Sequence, residues 1–494
     1  MVNQAIHMVL LNPFCLALIF IGVVIGIIFG SIPGLSASMA LILFLPMSFG
    51  MEPMNGIALL VGLYLGGISG GLISAILLKI PGTASSIATV FDGGPMADKG
   101  EAGKALGVGI LTSFVGGLIS IFALMFISPY LAKVTLAFTS AEYFAIAVFA
   151  LTIISSLSGK SLINGILAGL FGIALSLVGI APVDGAIRFT FGQSHLYGGF
   201  DTVVILIGLY AVTDIIKTGF DRHNIINNQT KYAYNLKGYG ISPKEYLSNW
   251  RNIIQSALIG LGIGILPGIG GSTSSLLSYS AAKGSSKHPE KFGTGIVDGI
   301  IASETANNAV IGGSLIPLIT MGIPGNVATA IFLGGLTIHG ISPGPLIFQK
   351  SGQYVYGIFI ALLVANVIML ICERAGLRLF VKLLDIPKYY LLPVVMVCCV
   401  IGAYCSNYSI FDVWCVAVFG LMGLAFKVLG VPSTPMIIGF ILGSMTEENL
   451  RQALMQTGGN WSIFVTRPIS LIFLLIAVFS VVMTIRKQVK QAKK

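Results

Sequence analysis

Four Pro-Gly pairs interrupt apolar stretches of this 494-residue sequence: Pro33-Gly34, Pro81-Gly82, Pro267-Gly268 and Pro324-Gly325. Small hydroxyl or amide side chains follow each of them. A helix broken inside a membrane leaves unpaired N–H groups where its second half starts and unpaired C=O groups where its first half ends. The N–H end carries a partial positive charge and suits a carboxylate, whereas the carbonyl end suits a cation such as sodium. The sequence therefore offers an anion cradle, Thr83, Ser85 and Ser86 after Pro81-Gly82, with Asn326 and Thr329 after Pro324-Gly325. Candidate cation ligands are the carbonyls around Gly34 and Gly268, with Ser36, Ser38, Ser272 and Thr273. A single Pro-Gly pair reads most simply as a kink, and Ser or Thr as groups that satisfy nearby backbone. Four pairs in matching places favour a site.

Charged residues inside apolar stretches cost several kcal/mol and are functional suspects. Lys79 lies two residues before Pro81, where it faces either a substrate carboxylate or, by snorkelling, the interface. Glu304, Asn307 and Asn308 fall at i, i+3 and i+4 and so share one helix face, as ion ligands or as hydrogen-bonding groups between helices. Asp92-Gly93-Gly94-Pro95 reads as a turn opening an aqueous loop, DKGEAGK.

The elements that must position these residues are membrane helices. The chain is 55% hydrophobic and 9% charged, with a mean hydropathy of +0.93, against about 25% charged residues in an average globular protein. Apolar runs recur from Leu11 to Ile485, many near the roughly 18–20 residues that span a bilayer. Lipid admits only helices and closed barrels, and segments such as 203–216 and 469–485 lack the alternation of barrel strands. The expected fold is an all-α polytopic membrane protein with about 10–12 membrane segments. The 62 glycines suit closely packed and broken helices. The formal net charge of +10 sits in short loops and the C-terminal tail, as positive-inside topology requires, and no nucleic-acid motif accompanies it. Six cysteines lie almost wholly in apolar runs at spacings that suggest neither a metal nor a disulfide framework. The N-terminus reads as a retained first membrane segment, not a cleaved signal.

The chain repeats itself. GSIPGLSAS (30–38) answers GILPGIGGSTSS (264–275), and ILLKIPGTASSIAT (76–89) answers ITMGIPGNVATA (319–330). Two repeats of roughly 240 residues follow, 1–217 and 251–494, the second with a basic tail, joined by a polar connector at 218–250. Duplicated, interrupted helices characterise transporters, whose site lies between the repeats. Basic loops flank residues 252–282, so a re-entrant hairpin with Pro267-Gly268 at its tip keeps both loops on one face, which favours inverted, elevator-like repeats over parallel ones.

In these motifs the chain resembles the large transmembrane subunit of the tripartite tricarboxylate transporter family. The resemblance runs through I-P-G-L (32–35), I-P-G-T-A-S (80–85), D-G-G-P with K-G-x-A-x-x-A-L, R-F-T-F-G (188–192), E-T-A-N-N-A (304–309), M-G-I-P-G (321–325) and R-P-I-S (467–470). The family pattern carries a polar uncharged residue where Lys79 stands. The resemblance implies a bacterial inner-membrane permease that imports di- or tricarboxylates such as citrate. It also implies a periplasmic solute-binding protein, a small four-helix membrane subunit, and sodium or protons as the driving ion. No Walker-type phosphate loop points to ATP.

Three other readings compete. An intramembrane enzyme would need paired catalytic or metal-binding residues at depth, and the five histidines are scattered without such spacing. A passive channel fits duplicated, interrupted helices less well than alternating access does. A permease that works without a binding protein shares every feature above.

Overall fold

The structure is a computed structural model and describes residues 1–157, 162–220, 240, 242–383 and 388–492. Most of the 218–250 connector, including Arg222, Lys231 and Lys237, lies outside the described residues, as do Lys493 and Lys494.

The first half of the chain forms α1 (Val2–Val9), α2 (Pro13–Ser31), α3 (Ala37–Phe44), α4 (Pro53–Leu77), α5 (Thr89–Asp98), α6 (Ala102–Thr135), α7 (Ser140–Leu157) and α8 (Leu162–Ser176). A two-residue antiparallel pair, β1 (Gly179–Ile180) and β2 (Ile187–Arg188), precedes α9 (Thr202–Leu206), which runs through a π-helical turn into α10 (Thr213–Phe220). Next come α11 (Trp250–Ile265), α12 (Gly270–Ser285), α13 (Val297–Met321), α14 (Val327–Ile338) and α15 (Gly352–Leu383). The chain closes with α16 (Lys388–Asn407), α17 (Ile410–Leu429), α18 (Ser433–Gln456) and α19 (Pro468–Ala492). Among the described residues, seven helices are long and apolar enough to cross a bilayer: α2, α4, α6, residues 202–219, α15, α17 and α19. Shorter apolar helices lie at α3, α7, α8, α14 and α16. The molecule is an all-α polytopic membrane protein.

Each of these four Pro-Gly pairs lies after the end of one helix and before the start of another. After Pro33-Gly34 the Ser36 hydroxyl accepts the Met39 N–H and caps α3. After Pro81-Gly82, Thr83 opens a short 3₁₀ turn, Ala84–Ser86, that leads to α5. Pro267-Gly268 lies between α11 and α12, two 16-residue helices packed on one another as a hairpin. At Pro324-Gly325, Asn326 and Thr329 form a reciprocal capping box at the start of α14.

Contacts divide the chain into two compact units. One comprises residues 1–130, 214–265 and 270–398, and the other residues 131–213, 266–269 and 399–494. Each unit draws on both halves of the sequence.

In the first unit α2 and α4 meet along two glycine stripes spaced four residues apart. An added Cβ at Gly22 would stand 2.5 Å from the Leu59 carbonyl oxygen, and one at Gly26 2.6 Å from that of Leu63. In return, Gly62 faces the Ile19 carbonyl, Gly66 that of Val23 and Gly70 that of Ile27. Only residues without a Cβ allow this approach, which gives packing contact where lipid supplies no hydrophobic drive. α4 and α13 are interior along nearly their whole length.

The second unit packs α7 and α8 against α18, and α7 against α19. Its polar contacts are specific. Arg188 meets Glu447 through two hydrogen bonds of 2.6 and 2.9 Å, and Arg451 bridges Glu447 and Asp184. Arg467 meets the buried Glu142, which also accepts the Thr139 N–H and hydroxyl.

One expectation is corrected. Residues 92–95 do not open an aqueous loop; they lie inside α5, and Asp92 is fully buried. Its Oδ1 accepts the N–H groups of Gly293, Gly295 and Ile296, and its Oδ2 accepts the Tyr279 hydroxyl at 2.8 Å. Gly-Gly-Pro is a turn signal by local propensity, but here tertiary hydrogen bonds to the loop before α13 outweigh it.

Candidate functional site

The site of the first unit is built around α13. Glu304 on this helix is wholly buried, and four donors face its carboxylate. The Thr89 hydroxyl reaches Oε1 at 2.5 Å. Oε2 receives the Ser113 hydroxyl at 3.2 Å and the Nδ2 groups of Asn307 and Asn308 at 3.4 and 3.5 Å. The i, i+3, i+4 spacing thus places Glu304, Asn307 and Asn308 together. Asn307 Nδ2 also donates to the Ile68 carbonyl of α4. The side-chain oxygens of both asparagines are buried without a donor. Among the described residues no ion pair reaches Glu304. A carboxylate flanked by unsatisfied amide oxygens can take a small hard cation, which oxygen ligands suit.

Glu373 on α15 was not singled out from sequence. It is fully buried, and both its oxygens lack a hydrogen bond. Its helix, α15, packs against α4, where the buried Ser69 hydroxyl also lacks a hydrogen bond. Two acidic side chains therefore share the interior of this unit, and the signal that could have revealed the second was a glutamate seventeen residues into a helix segment from residue 357 that is apolar apart from Asn366.

The Thr83, Ser85 and Ser86 cradle forms as a cluster of hydroxyls. Thr83 Oγ1 lies 3.0 Å from Ser85 Oγ and 2.9 Å from Ser86 Oγ. Two glycines leave it room. A Cβ at Gly71 would come within 2.5 Å of Thr83 Oγ1 and overlap Ser86 Oγ, and one at Gly271 would stand 2.8 Å from Ser85 Cβ and 3.2 Å from Asn307 Oδ1. The cradle, the start of α12 and the Glu304 cluster therefore adjoin. Ser272 and Thr273, at that start, are half-buried.

A cavity of about 360 Å³ opens beside the cradle. Residues 34–36 of the first break and 81–84 of the second line it, with Asp214, Lys217 and Thr218 of α10. Gly34, Ser36, Pro81, Gly82 and Thr83 thus share one cavity, although the sequence assigned the first two to a cation and the others to an anion.

The remaining candidates stand elsewhere. Ser38 is half-buried in the first turn of α3. Gly268 lies in the turn at 266–269, where Leu266 and Ile269 pack on Phe149, Phe473 and Ala477. Lys79, with its backbone in the left-handed region at φ 55°, pairs with Asp98 at 2.6 Å on the half-exposed surface and does not line the cavity. Such exposed pairs contribute little. Pro324 and Gly325 are buried, with a Cβ at Gly325 only 2.7 Å from the Gly264 carbonyl oxygen. Asn326 and Thr329 bond each other's backbone, and Asn326 Nδ2 donates to Tyr64, whose hydroxyl lies 3.0 Å from Ser314 Oγ. Their polar atoms serve the helix start.

Comparison with known proteins decides the family, since the sequence model of the tripartite tricarboxylate transporter TctA family matches residues 16–438. The chain belongs to that family. Like the family as a whole, this TctA-family chain is a membrane transporter component, one part of a tripartite system. It is 34% identical over 483 residues to an uncharacterized 52.8 kDa protein in the TAR-I ttuC' 3' region of Agrobacterium vitis, covering 98% of this chain and 95% of that one. It is also 34% identical over 231 residues to an uncharacterized protein in the TAR-II ttuC' 3' region of the same organism, covering 47% of this chain and 96% of the relative. No solved structure matches it.

Proposed function

We propose that this TctA-family chain is the permease through which small di- and tricarboxylates such as citrate enter across the bacterial inner membrane. A periplasmic solute-binding protein delivers the substrate, a small four-helix membrane subunit accompanies the permease, and a sodium or proton gradient drives uptake. One observation carries the reading: the cavity at two helix breaks adjoins, through the Thr83 cradle and Gly271, the oxygen cluster around Glu304.

That adjacency supplies a physical basis for coupling. A carboxylate at membrane depth costs about 2.5–3.5 kcal/mol even on insertion scales. A cation held by Glu304, Asn307 and Asn308 offsets part of this for a carboxylate in the cavity, and the carboxylate does the same for the cation. Each then raises the other's affinity, as symport requires. The element order, helix, break, helix, long interior helix, break, helix, recurs in 13–98 and 250–338 and supports a duplicated fold whose breaks build the site.

The test is uptake of labelled citrate and shorter dicarboxylates into proteoliposomes holding this chain, the small subunit and the binding protein, with and without an inward sodium gradient. Accumulation that needs both the gradient and the binding protein is expected. Glu304→Gln places an amide donor among donors and should lower gradient-driven uptake at least about tenfold. Uptake that is indifferent to both sodium and pH gradients defeats the coupling claim.

A further inference from the structure

Asp92 and Glu304 hold their carboxylates with four donors apiece, but a third acid buried in the same unit has none. Glu373 of α15 is wholly buried, and neither of its carboxyl oxygens has a hydrogen bond. No cation reaches it either. α2 and α4, which pack on α15, carry no charged side chain, and α1 carries only the exposed His7. α6, whose Phe114 carbonyl accepts the Asn366 amide of α15, has its lysines, Lys104 and Lys133, toward its two ends. Lys350 precedes the start of α15, Arg374 is exposed, and among the described residues no ion pair includes Glu373. Glu304 and Asp92 are like charges, not counter-ions.

An ionised carboxylate in that setting carries a desolvation cost that nothing offsets, so it must be neutralised. A metal cation or a proton can do this, and the available oxygens decide between them. Hard cations take several oxygen ligands. The Glu304 cluster can supply them, because the amide oxygens of Asn307 and Asn308 are buried without a donor. On α15 the next such oxygen, that of Asn366, stands two turns from Glu373, about 10 Å along the helix. α4 contributes one unpartnered hydroxyl, Ser69. A proton, by contrast, needs a single oxygen.

We propose that Glu373 is a proton-binding site, separate from the Glu304 cluster, and that its proton is exchanged as the transporter works. The inference rests on the gradient-driven permease reading and adds a second ion to it. Arg374, Arg378 and Lys382 make the end of α15 basic, the mark of a cytoplasmic end, and Arg378 lies only about 7.5 Å of helix rise beyond Glu373. Toward that end the carboxyl O–H bond breaks and the proton passes to water. The carboxylate left behind accepts hydrogen bonds from water or from the Ser69 hydroxyl until a proton returns.

Infrared spectroscopy reads the proton directly, since the C=O stretch of a carboxylic acid lies above the amide I band and that of a carboxylate below it. Spectra of wild type, E373Q and E373D in lipid, each checked for monodispersity, are compared at about pH 7, where an ordinary glutamate with a pKa of about 4.3 is ionised. Wild type should show a protonated-carboxyl band that E373Q loses and E373D shifts. Proteoliposomes with the full set of subunits then take up labelled citrate with sodium equal on both sides, with and without a pH step from about 7 outside to about 8 inside. For one proton per cycle the step should raise wild-type accumulation up to about tenfold. E373D should keep that response and E373Q should lose it. A wild type without the band overturns the proton site. A band together with E373Q accumulation that still follows the pH step overturns the exchange. Wild type that moves no carboxylate under any gradient defeats the permease reading and the exchange with it, whereas the band, read without transport, still reports the site.

Discussion

Asp92 shows how one buried carboxylate can hold a transporter's polar interior in register. Three backbone N–H groups and one phenol converge on it, fixing the loop that leads into α13 and hence the depth of Glu304. Hydrogen bonds to a charged group contribute about 1.5–3 kcal/mol each, and the donors left behind would be desolvated. Asp92→Ala should therefore destabilise the chain by more than about 3 kcal/mol, whereas Tyr279→Phe, which removes one donor, should cost about 1.5–3 kcal/mol and less than Asp92→Ala. Thermal or denaturant unfolding in detergent checks the order. A second acid makes a pH prediction. The Arg451 guanidinium, with the Ala186 N–H, holds the exposed Asp184 carboxyl below its ordinary value. A group depressed in the folded state stabilises at pH values above its unfolded pKa, about 3.9, and the contribution fades as pH falls through the folded pKa. The stability gap between wild type and Arg451→Gln, part of which comes from this pair, should hold constant from pH 6 to 9 and narrow below about pH 4.

At the scale of elements, helix periodicity and break chemistry were readable, and tertiary placement was not. Glu304, Asn307 and Asn308 were legible because i, i+3 and i+4 share a face on any helix, and the four Pro-Gly breaks because no regular helix tolerates them unchanged. The α5 segment was misread because Gly-Gly-Pro signals a turn locally, and nothing local announces the amides that pull Asp92 inward. Lys217 and Glu373 were missed for a related reason: a lysine near a connector and a glutamate beside Arg374 both resemble the charged ends of membrane segments. The α2/α4 contact gives the test at this scale. A side chain at Gly66 would overlap the Val23 carbonyl, so Gly66→Leu must part the two helices along their length. The cost should exceed the roughly 1–3 kcal/mol of ordinary overpacking, seen as loss of monodisperse protein in size-exclusion chromatography, while Gly50→Ala, with nothing near its Cβ position, should be silent.

For the whole molecule, the informative fact is that the compact units cut across the sequence halves. Each unit takes helices from before and after the connector, so neither half completes a unit on its own. A chain cut between residues 220 and 242 should yield halves that are degraded when expressed singly, yet restore uptake when expressed together, as protease sensitivity and transport assays would report. Halves that are stable alone would show that the interleaving is dispensable.

The interior position of α13 bears on how the protein is made. This 25-residue helix is long enough to cross the membrane, yet it falls outside the apolar spans because it carries Glu304, Asn307 and Asn308. A segment of that composition partitions poorly into lipid by itself. During synthesis it must therefore wait in the translocon, or beside it, until α4, α6 and α12, already made, can shield its polar face. A ribosome stalled far enough past residue 321 for α13 to have left the exit tunnel should show this helix still accessible to water when the preceding glycine stripes are disrupted, which makes assembly order, and not hydropathy, the factor that brings it into the bilayer.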